Sequence, residues 1–155
     1  MKICLIRIDQ RMIHGQVCVK WANLAKAEKI ICIDDETSKN ELVKKMFKLA
    51  APAGVKVLVY SVDRFTEKWK EDKFENDNIM IVFKNIATCY RVYKAGFPMT
   101  MIQLGNIPKV AETVKRLGSE VAVTKEELDC LYDMNSSGIR IEIQTIPEQS
   151  AVMFK

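Results

Sequence analysis

The sequence predicts an α/β fold: an open, mainly parallel sheet of about six to seven strands with helices on both faces. Two observations support this prediction, namely short apolar runs rich in Ile and Val and the helix-periodic segments between them. The runs are nearly continuous rather than alternating, as in strands that are buried on both faces of a parallel sheet. Strands and helices that alternate at this spacing imply right-handed crossovers. The length fits one domain, residues 1–155.

The predicted strands follow the apolar runs. In chain order the runs are residues 3–6, 30–33, 55–60, 79–83 and 99–104. A later segment differs, because Ile139, Ile141 and Ile143 alternate with polar residues. A period of two with one polar face indicates an edge strand, and we expect it to be the antiparallel one.

The predicted helices each carry one apolar stripe. The stripes follow the spacing i, i+4, i+7, i+8 and consist of Val17, Trp21, Leu24 and Ala25 in the first helix and Leu42, Met46, Leu49 and Ala50 in the second. Such a stripe is typical of a helix that packs against a core. Capping boxes, Ser38-x-x-Glu41 and Thr124-x-x-Glu127, predict the starts of the second helix and of a later one.

The composition excludes several classes of function. Apolar residues make up 48% and charged residues 28%, which is typical of a soluble globular protein, and the net charge of +4 is spread along the chain without a nucleic-acid-binding stripe. Because His14 is the one histidine, zinc sites built on several imidazoles are excluded.

The cysteines and the absence of nucleotide-binding motifs exclude further classes of function. The five cysteines are odd in number and form no C-x-x-C pair, so free thiols in a reducing cytoplasm are expected. No run of about 18 apolar residues suggests a membrane span, so we expect a soluble cytoplasmic chain. No dinucleotide-binding or Walker motif occurs, and we expect neither a cofactor nor a metal.

The segment after the first strand is the candidate site, because ligands of open α/β sheets bind beyond the carboxyl ends of the strands. His14 lies there, and a neutral imidazole nitrogen is a nucleophile for a phosphoryl group. Four of its neighbours suit phosphate binding and orientation. Arg7 and Arg11 offer guanidinium groups for phosphate oxygens, Asp9 can orient His14 or an arginine, and Gly15 allows backbone N–H groups to approach closely.

Other interpretations of these residues remain. A lone histidine also serves as a helix cap, and from the residues alone the two interpretations are about equal. Asn106, in a loop after a later strand, is a further candidate phosphate ligand, and Asp35 is expected to border the histidine loop. A magnesium site at Asp34 to Glu36 is disfavoured by its spacing, and Cys4 is expected to be a buried core thiol.

The string RIDQRMIHGQV, residues 7–17, followed by Lys20-Trp21, resembles the active-site signature of the IIB components of the mannose/fructose/sorbose family of sugar phosphotransferase systems. Similar residues recur at IDDE, LGNI and the helix start after Thr124, so the resemblance covers the whole chain. Gln10 and Met12 depart from the family pattern, which commonly has an acidic residue and Leu there.

The resemblance implies a phosphocarrier domain that accepts a phosphoryl group from a IIA protein on Nδ1 of His14. The carrier then passes the group to a sugar through membrane IIC and IID subunits, with which it associates peripherally. In this interpretation Arg11, Gly15, Gln16 and Asn106 bind the phosphoryl group. Asp9, Arg7 and Asp35 orient the site, and an apolar rim of Met12 and Ile13 contacts partners. The alternative is a phosphorylation-sensing adaptor of the same fold that does not feed transport.

Overall fold

The computed structural model describes residues 1–74 and 76–155. Within these ranges the helices are α1 (Gly15–Leu24), α2 (Asp35–Ser38), α3 (Glu41–Ala50), α4 (Val62–Lys70), α5 (Ile86–Lys94) and α6 (Lys125–Ser136). The strands are β1 (Lys2–Asp9), β2 (Lys29–Ile33), β3 (Lys56–Tyr60), β4 (Asn78–Phe83), β5 (Met101–Asn106), β6 (Thr113–Gly118), β7 (Val121–Thr124), β8 (Arg140–Ile143) and β9 (Val152–Met153). No described helix is long and apolar enough to cross a membrane.

A seven-stranded sheet in the order β3-β2-β4-β1-β5-β8-β9 forms the centre of the fold. Strand β1 lies between β4 and β5 and is parallel to both, so its carboxyl end opens at the middle of the sheet. Only the pairing of β9 with β8 is antiparallel among the described strands of this sheet. The predicted open, mainly parallel sheet with an antiparallel edge is confirmed.

The strand that forms this edge differs from the prediction. The alternating segment of Ile141 and Ile143 is β8, which pairs in parallel with β5 on one side and with β9 on the other, and is therefore not the edge. The antiparallel edge is β9, whose two residues pair with Glu142 and Ile143. A strand of two residues is too short to show any period in the sequence, which explains the error.

Helices cover both faces of the sheet, as predicted. On one face, residues of α4, α5 and α6 such as Phe65, Ile86 and Leu131 complete the larger apolar core. On the other face, Trp21 of α1 packs with Met80 and its neighbours in a smaller core. The continuous apolar runs supply side chains to both cores, because successive residues of a strand point to opposite faces.

The two predicted capping boxes have different outcomes. Thr124 caps α6 as expected, since its hydroxyl accepts from Glu127 N at 3.2 Å while its own N–H donates to Glu127 Oε1 at 2.9 Å. Ser38 does not cap α3, because it ends the short helix α2 and its hydroxyl donates to Asp35 O. Asn40 is the cap instead, accepting from Val43 N at 3.1 Å.

The predicted core stripe of α3 faces solvent. Leu42, Met46 and Leu49, here called the α3 stripe, are 69%, 56% and 88% exposed, and no residue of α3 is buried. The half-buried Phe47 packs against the smaller core instead. Helix α3 therefore has apolar side chains on two sides, and only the side of Phe47 contacts the sheet.

Strands β6 and β7 form a separate antiparallel hairpin next to the carboxyl end of β5. Ile107, the residue after β5, donates its N–H to Glu120 O and accepts from Ala122 N at 2.9 Å. The hairpin is thus fixed to the edge of the sheet at which the candidate site lies.

Candidate functional site

The loop between β1 and α1 is held to the sheet by backbone bonds and by two buried side chains. Gln10 N donates to Asn106 O at 3.0 Å, and Met12 N donates to Asp9 O at 2.9 Å. Met12, in the left-handed region at φ 56°, and Ile13 are 4% and 5% exposed and pack into the smaller core. The expectation that they form a partner-contacting rim is wrong, because they fix the loop.

His14 is exposed at the junction of this loop and α1. It occupies the N-cap position with extended backbone, but its imidazole makes no capping hydrogen bond. The first-turn N–H groups near Gly15 and Gln16 are therefore left for another acceptor, and no acidic side chain lies in that turn. Gly15 has φ +57°, a conformation that favours glycine.

Arg11 lies in this loop and is held in one orientation by Asp9. Asp9, only 4% exposed, accepts from the Arg11 backbone N at 2.9 Å and from its Nε and Nη2 at 3.2 and 3.1 Å. The hydrogen bond with Asp9 raises the pKa of the Arg11 guanidinium, while 31% of the side chain stays exposed. Arg11 thus presents a permanent, oriented positive charge at the surface of the loop.

Arg7 is buried and has a different role. It donates to Gln103 Oε1, to Gln144 O at 2.9 Å and to Thr145 O at 2.7 Å, and its Nη2 lies 3.3 Å from Asp9 Oδ2. Burial lowers the pKa of the Arg7 guanidinium, and the charge of Asp9 opposes this effect.

The surroundings of Arg7 leave no place for a phosphate. Its side chain is 2% exposed, and its Cζ lies 5.1 Å from the centre of the Trp21 ring. The expectation that Arg7 offers its guanidinium to phosphate oxygens is wrong. Arg7 bonds Asp9, which in turn holds Arg11, and its orienting role stays a prediction.

Of the remaining predicted site residues, Asn106 borders the histidine loop and Asp35 contacts other elements. Asn106 ends β5, and its backbone carbonyl accepts from Gln10 N, so it borders the loop. Asp35 accepts from Val62 N at 2.9 Å and from Arg91 Nη1 at 2.7 Å. These contacts join α2 to α4 and α5, and the expectation that Asp35 orients the histidine loop is wrong.

The structure adds a residue that the sequence reasoning missed. Lys84 directly follows β4, whose last residue Phe83 pairs with Ile8 of β1. Its side chain and that of Gln10 line a hollow of about 210 Å³ between the loop and α3, here called the α3 hollow. The rule that polar residues after a strand lie at the site would have found Lys84.

A family model described as "PTS system sorbose subfamily IIB component" matches residues 3–155. The chain belongs to this family. It is 25% identical over 154 residues to the fructose-specific EIIB component of Bacillus subtilis, covering 99% of this chain and 94% of that protein. It is 26% identical to the mannose-specific EIIAB component of Escherichia coli, covering 94% of this chain and 45% of that longer protein.

Solved structures agree with this assignment. The fold of this IIB chain matches manxB from Thermoanaerobacter tengcongensis with a TM-score of 0.89 and 33% identity, over 98% of this chain and 92% of that one. It also matches the IIB domain of the sorbose permease from Klebsiella pneumoniae with a TM-score of 0.91 and 24% identity, over 98% and 93% of the two chains. The family is that of a sugar phosphotransferase component, as the resemblance implied.

Three of the five thiols of the IIB chain lie in β1, α1 and β2 and are buried or half-buried. Cys18 and Cys32 are buried, and burial raises the pKa of Cys18 to about 11 and that of Cys32 well above its ordinary value. Cys4 is half-buried in the amino half of β1, and burial raises its pKa as well. A raised pKa disfavours the thiolate, the nucleophilic form of cysteine.

Proposed function

We propose that this IIB chain is a single phosphocarrier domain that takes a phosphoryl group from a phosphorylated IIA protein onto Nδ1 of His14. It then transfers the group to a sugar carried by membrane IIC and IID subunits, working in the cytoplasm in peripheral association with that permease. The observation that supports this proposal is an exposed imidazole at the start of a ten-residue helix, on the same short loop as an arginine held by a buried carboxylate.

The chemistry is two successive displacements at phosphorus. In the first, the His14 Nδ1 lone pair forms a P–N bond while the bond between phosphorus and the donor histidine nitrogen breaks, and that nitrogen keeps the electron pair. In the second, a sugar hydroxyl oxygen forms the P–O bond, the P–Nδ1 bond breaks, and the hydroxyl proton passes to solvent. No oxidant, reductant or nucleotide is consumed.

The neighbours of His14 have distinct roles in this proposal. Arg11 neutralises the phosphoryl charge, and the helix start at Gly15 and Gln16 supplies N–H donors with the favourable end of the helix dipole. Asn106 offers a further donor from the end of β5. Asp9 acts through Arg11, since it receives three hydrogen bonds from that residue and leaves it one dominant orientation.

Incubation with phospho-IIA tests the carrier step. We expect one label per chain that is labile in acid and stable in base, and that is absent from the His14→Ala variant. Because His14 is exposed and caps no N–H group, this variant should keep the wild-type unfolding midpoint. A label that survives His14→Ala contradicts the proposal.

Transfer of the phosphoryl group from the labelled chain to a sugar distinguishes a transport component from a regulatory adaptor. Labelled protein is mixed with membranes that contain a IIC/IID pair and the sugar. Transfer of the label to the sugar supports the proposal. A phosphorylated chain that gives its label to no sugar with any candidate pair favours the adaptor.

A further inference from the structure

Gln103 is a polar residue that lies buried in the middle of strand β5. We propose that Gln103 is a positioning residue for phosphoryl transfer. By fixing the guanidinium of Arg7, it leaves the carboxylate of Asp9 to hold Arg11. This role rests on the function proposed above, in which Arg11 neutralises the phosphoryl charge.

The side chain of Gln103 lies next to that of Arg7, on the side of the sheet that α1 covers. Its neighbours Ile102 and Leu104 point into the larger core on the opposite face. Gln103 pairs with Arg7 in the register of β5 and β1, is 2% exposed, and accepts from Arg7 Nη1 through its Oε1. Because a buried amide is costly without hydrogen bonds, this bond accounts for a glutamine at a buried strand position.

The guanidinium of Arg7 is held from two directions. Nη1 donates to the Gln103 side chain and to Gln144 O at 2.9 Å. Nη2 donates to Thr145 O at 2.7 Å and lies 3.3 Å from Asp9 Oδ2. The two carbonyls belong to consecutive residues after β8, so Gln103 is the one of these four acceptors that belongs to β5. Because a guanidinium is planar and rigid, fixing Nη1 also fixes the direction of Nη2.

The position of Arg7 determines how much of Asp9 is left for Arg11. The contact with Asp9 is the longest of the four that Arg7 makes, whereas Arg11 N, Nε and Nη2 donate to Asp9 at 2.9, 3.2 and 3.1 Å. Without Gln103, a buried N–H group of the Arg7 cation would lose its acceptor, which is costly. Arg7 would then turn toward the carboxylate that it already contacts and compete with Arg11 for Asp9 Oδ2.

The test is a double-mutant cycle measured on the rate of phosphoryl transfer. Gln103→Met replaces the amide with an unbranched apolar side chain of similar size, so it removes the acceptor without opening a large cavity. This variant is made in the wild-type and in the Arg11→Ala background. Single-turnover labelling is followed over a range of phospho-IIA concentrations and, separately, with phosphoramidate, a small donor. Urea denaturation of each variant gives its stability.

We expect Gln103→Met to lower the maximal rate of labelling about tenfold with either donor, which is less than the loss from Arg11→Ala. The half-saturating concentration of phospho-IIA should stay unchanged. In the Arg11→Ala background the same substitution should change the rate less than about twofold, because the residue through which it acts is gone. Its effect on the urea midpoint should persist in both backgrounds.

The matched control is Tyr90→Phe. This substitution also removes one side-chain hydrogen bond, the one from the Tyr90 hydroxyl to Asp133 Oδ2, which joins α5 and α6 on the opposite face of the sheet. It should lower the urea midpoint while labelling keeps the wild-type rate. A loss of stability by itself is thereby separated from a loss of positioning.

Gln103→Asn is the second variant, and it keeps a polar side chain in case Gln103→Met does not fold. Its amide is one methylene shorter and is withdrawn from Arg7, so the rate should fall in the wild-type background and not in Arg11→Ala. Two results would overturn the inference and leave the proposed function intact. One is a wild-type rate in the folded Gln103 variants, and the other is an equal loss of rate in both backgrounds. A wild-type chain that neither donor labels instead contradicts the proposed function itself.

Discussion

Gly105 lies directly against the guanidinium of Arg7, and this contact leaves no room for a side chain at position 105. A Cβ atom built there would lie 2.7 Å from Arg7 Nη1 and nearer still to Cζ and Nη2. Arg7 cannot move away easily, because it is hydrogen-bonded to Gln103, Gln144 and Thr145. The glycine is therefore required by the arginine rather than by a turn.

Gly105→Ala should consequently destabilise the fold. We expect the free energy of unfolding to fall by about 1–3 kcal/mol, the usual cost of overpacking, as measured by urea denaturation. A double-mutant cycle with Arg7→Ala tests whether the clash with Arg7 is the cause of this loss. Alanine at position 7 leaves room for the methyl group of Ala at position 105, so the second substitution should then cost less. If Gly105→Ala costs as much without Arg7 as with it, the contact is not the reason for the glycine.

Substitution of Arg11 should lower the rate of phosphoryl transfer more than it lowers the stability of the fold. Arg11→Ala removes the oriented charge of the histidine loop, and we expect the single-turnover rate from phospho-IIA to fall about 10²- to 10³-fold. Arg11→Lys keeps a charge but loses the paired bonds to Asp9, so its rate should lie between those of Arg11→Ala and the wild type. Equal rates for the lysine variant and the wild type would show that Asp9 does not act by orienting Arg11.

Asp35 gives a prediction about pH. Its hydrogen bond from Arg91, and a second one from Val62 N, lower the pKa of this carboxyl group. The stabilisation is therefore present above the unfolded-state pKa and is lost as the pH falls through the lower, folded-state value. Because both side chains are half exposed, Asp35→Asn should cost only about 0.5 kcal/mol near pH 7.

The check is a pair of urea denaturation series for wild type and Asp35→Asn, at pH 7 and near pH 3. The difference in the free energy of unfolding between the two proteins should be smaller at the lower pH. A difference that stays constant or grows as the pH falls would mean that the ion pair with Arg91 is not its source.

Cys4 allows a test of whether a cysteine thiol, rather than His14, receives the phosphoryl group. Its pKa is raised by burial, so alkylation by iodoacetamide near pH 7.5 should be slower than that of a small free thiol. Cys4→Ser should accept the same amount of label from phospho-IIA as the wild type. A label that is lost in Cys4→Ser and kept in His14→Ala would identify a phosphocysteine instead.

Much of the fold could be predicted from the sequence, because strands buried on both faces leave continuous apolar runs and parallel strands bring their carboxyl ends together. His14 was placed at the correct edge of the sheet by this reasoning alone. The direction of the Arg7 side chain could not be predicted, since its partners Gln144 and Thr145 are distant in sequence. Polar residues after a strand can face the ligand or the interior, and local pattern does not distinguish the two.

Helix α3 shows another limit of sequence reasoning. The stripe of Leu42, Met46 and Leu49 has the spacing of a core face, but a period of 3.6 residues says only which side chains share a side. Which side meets the sheet depends on the position of the helix over its strands. The same limit applies to Met12 and Ile13, whose burial follows from the tight turn at Asp9 and not from their neighbours in sequence.

The bonds from Arg7 to the carbonyls of Gln144 and Thr145 join positions 137 and 138 residues apart. During synthesis the histidine loop emerges from the ribosome well before the segment that carries Gln144 and Thr145, whose carbonyl groups hold the buried arginine. Until residue 145 has left the ribosome, Arg7 lacks two of its acceptors, and the support for Asp9 and Arg11 is incomplete. A nascent chain would therefore expose His14 before the carbonyls that hold Arg7 are made, and the buried support of the histidine loop would be complete only after residue 145 has emerged.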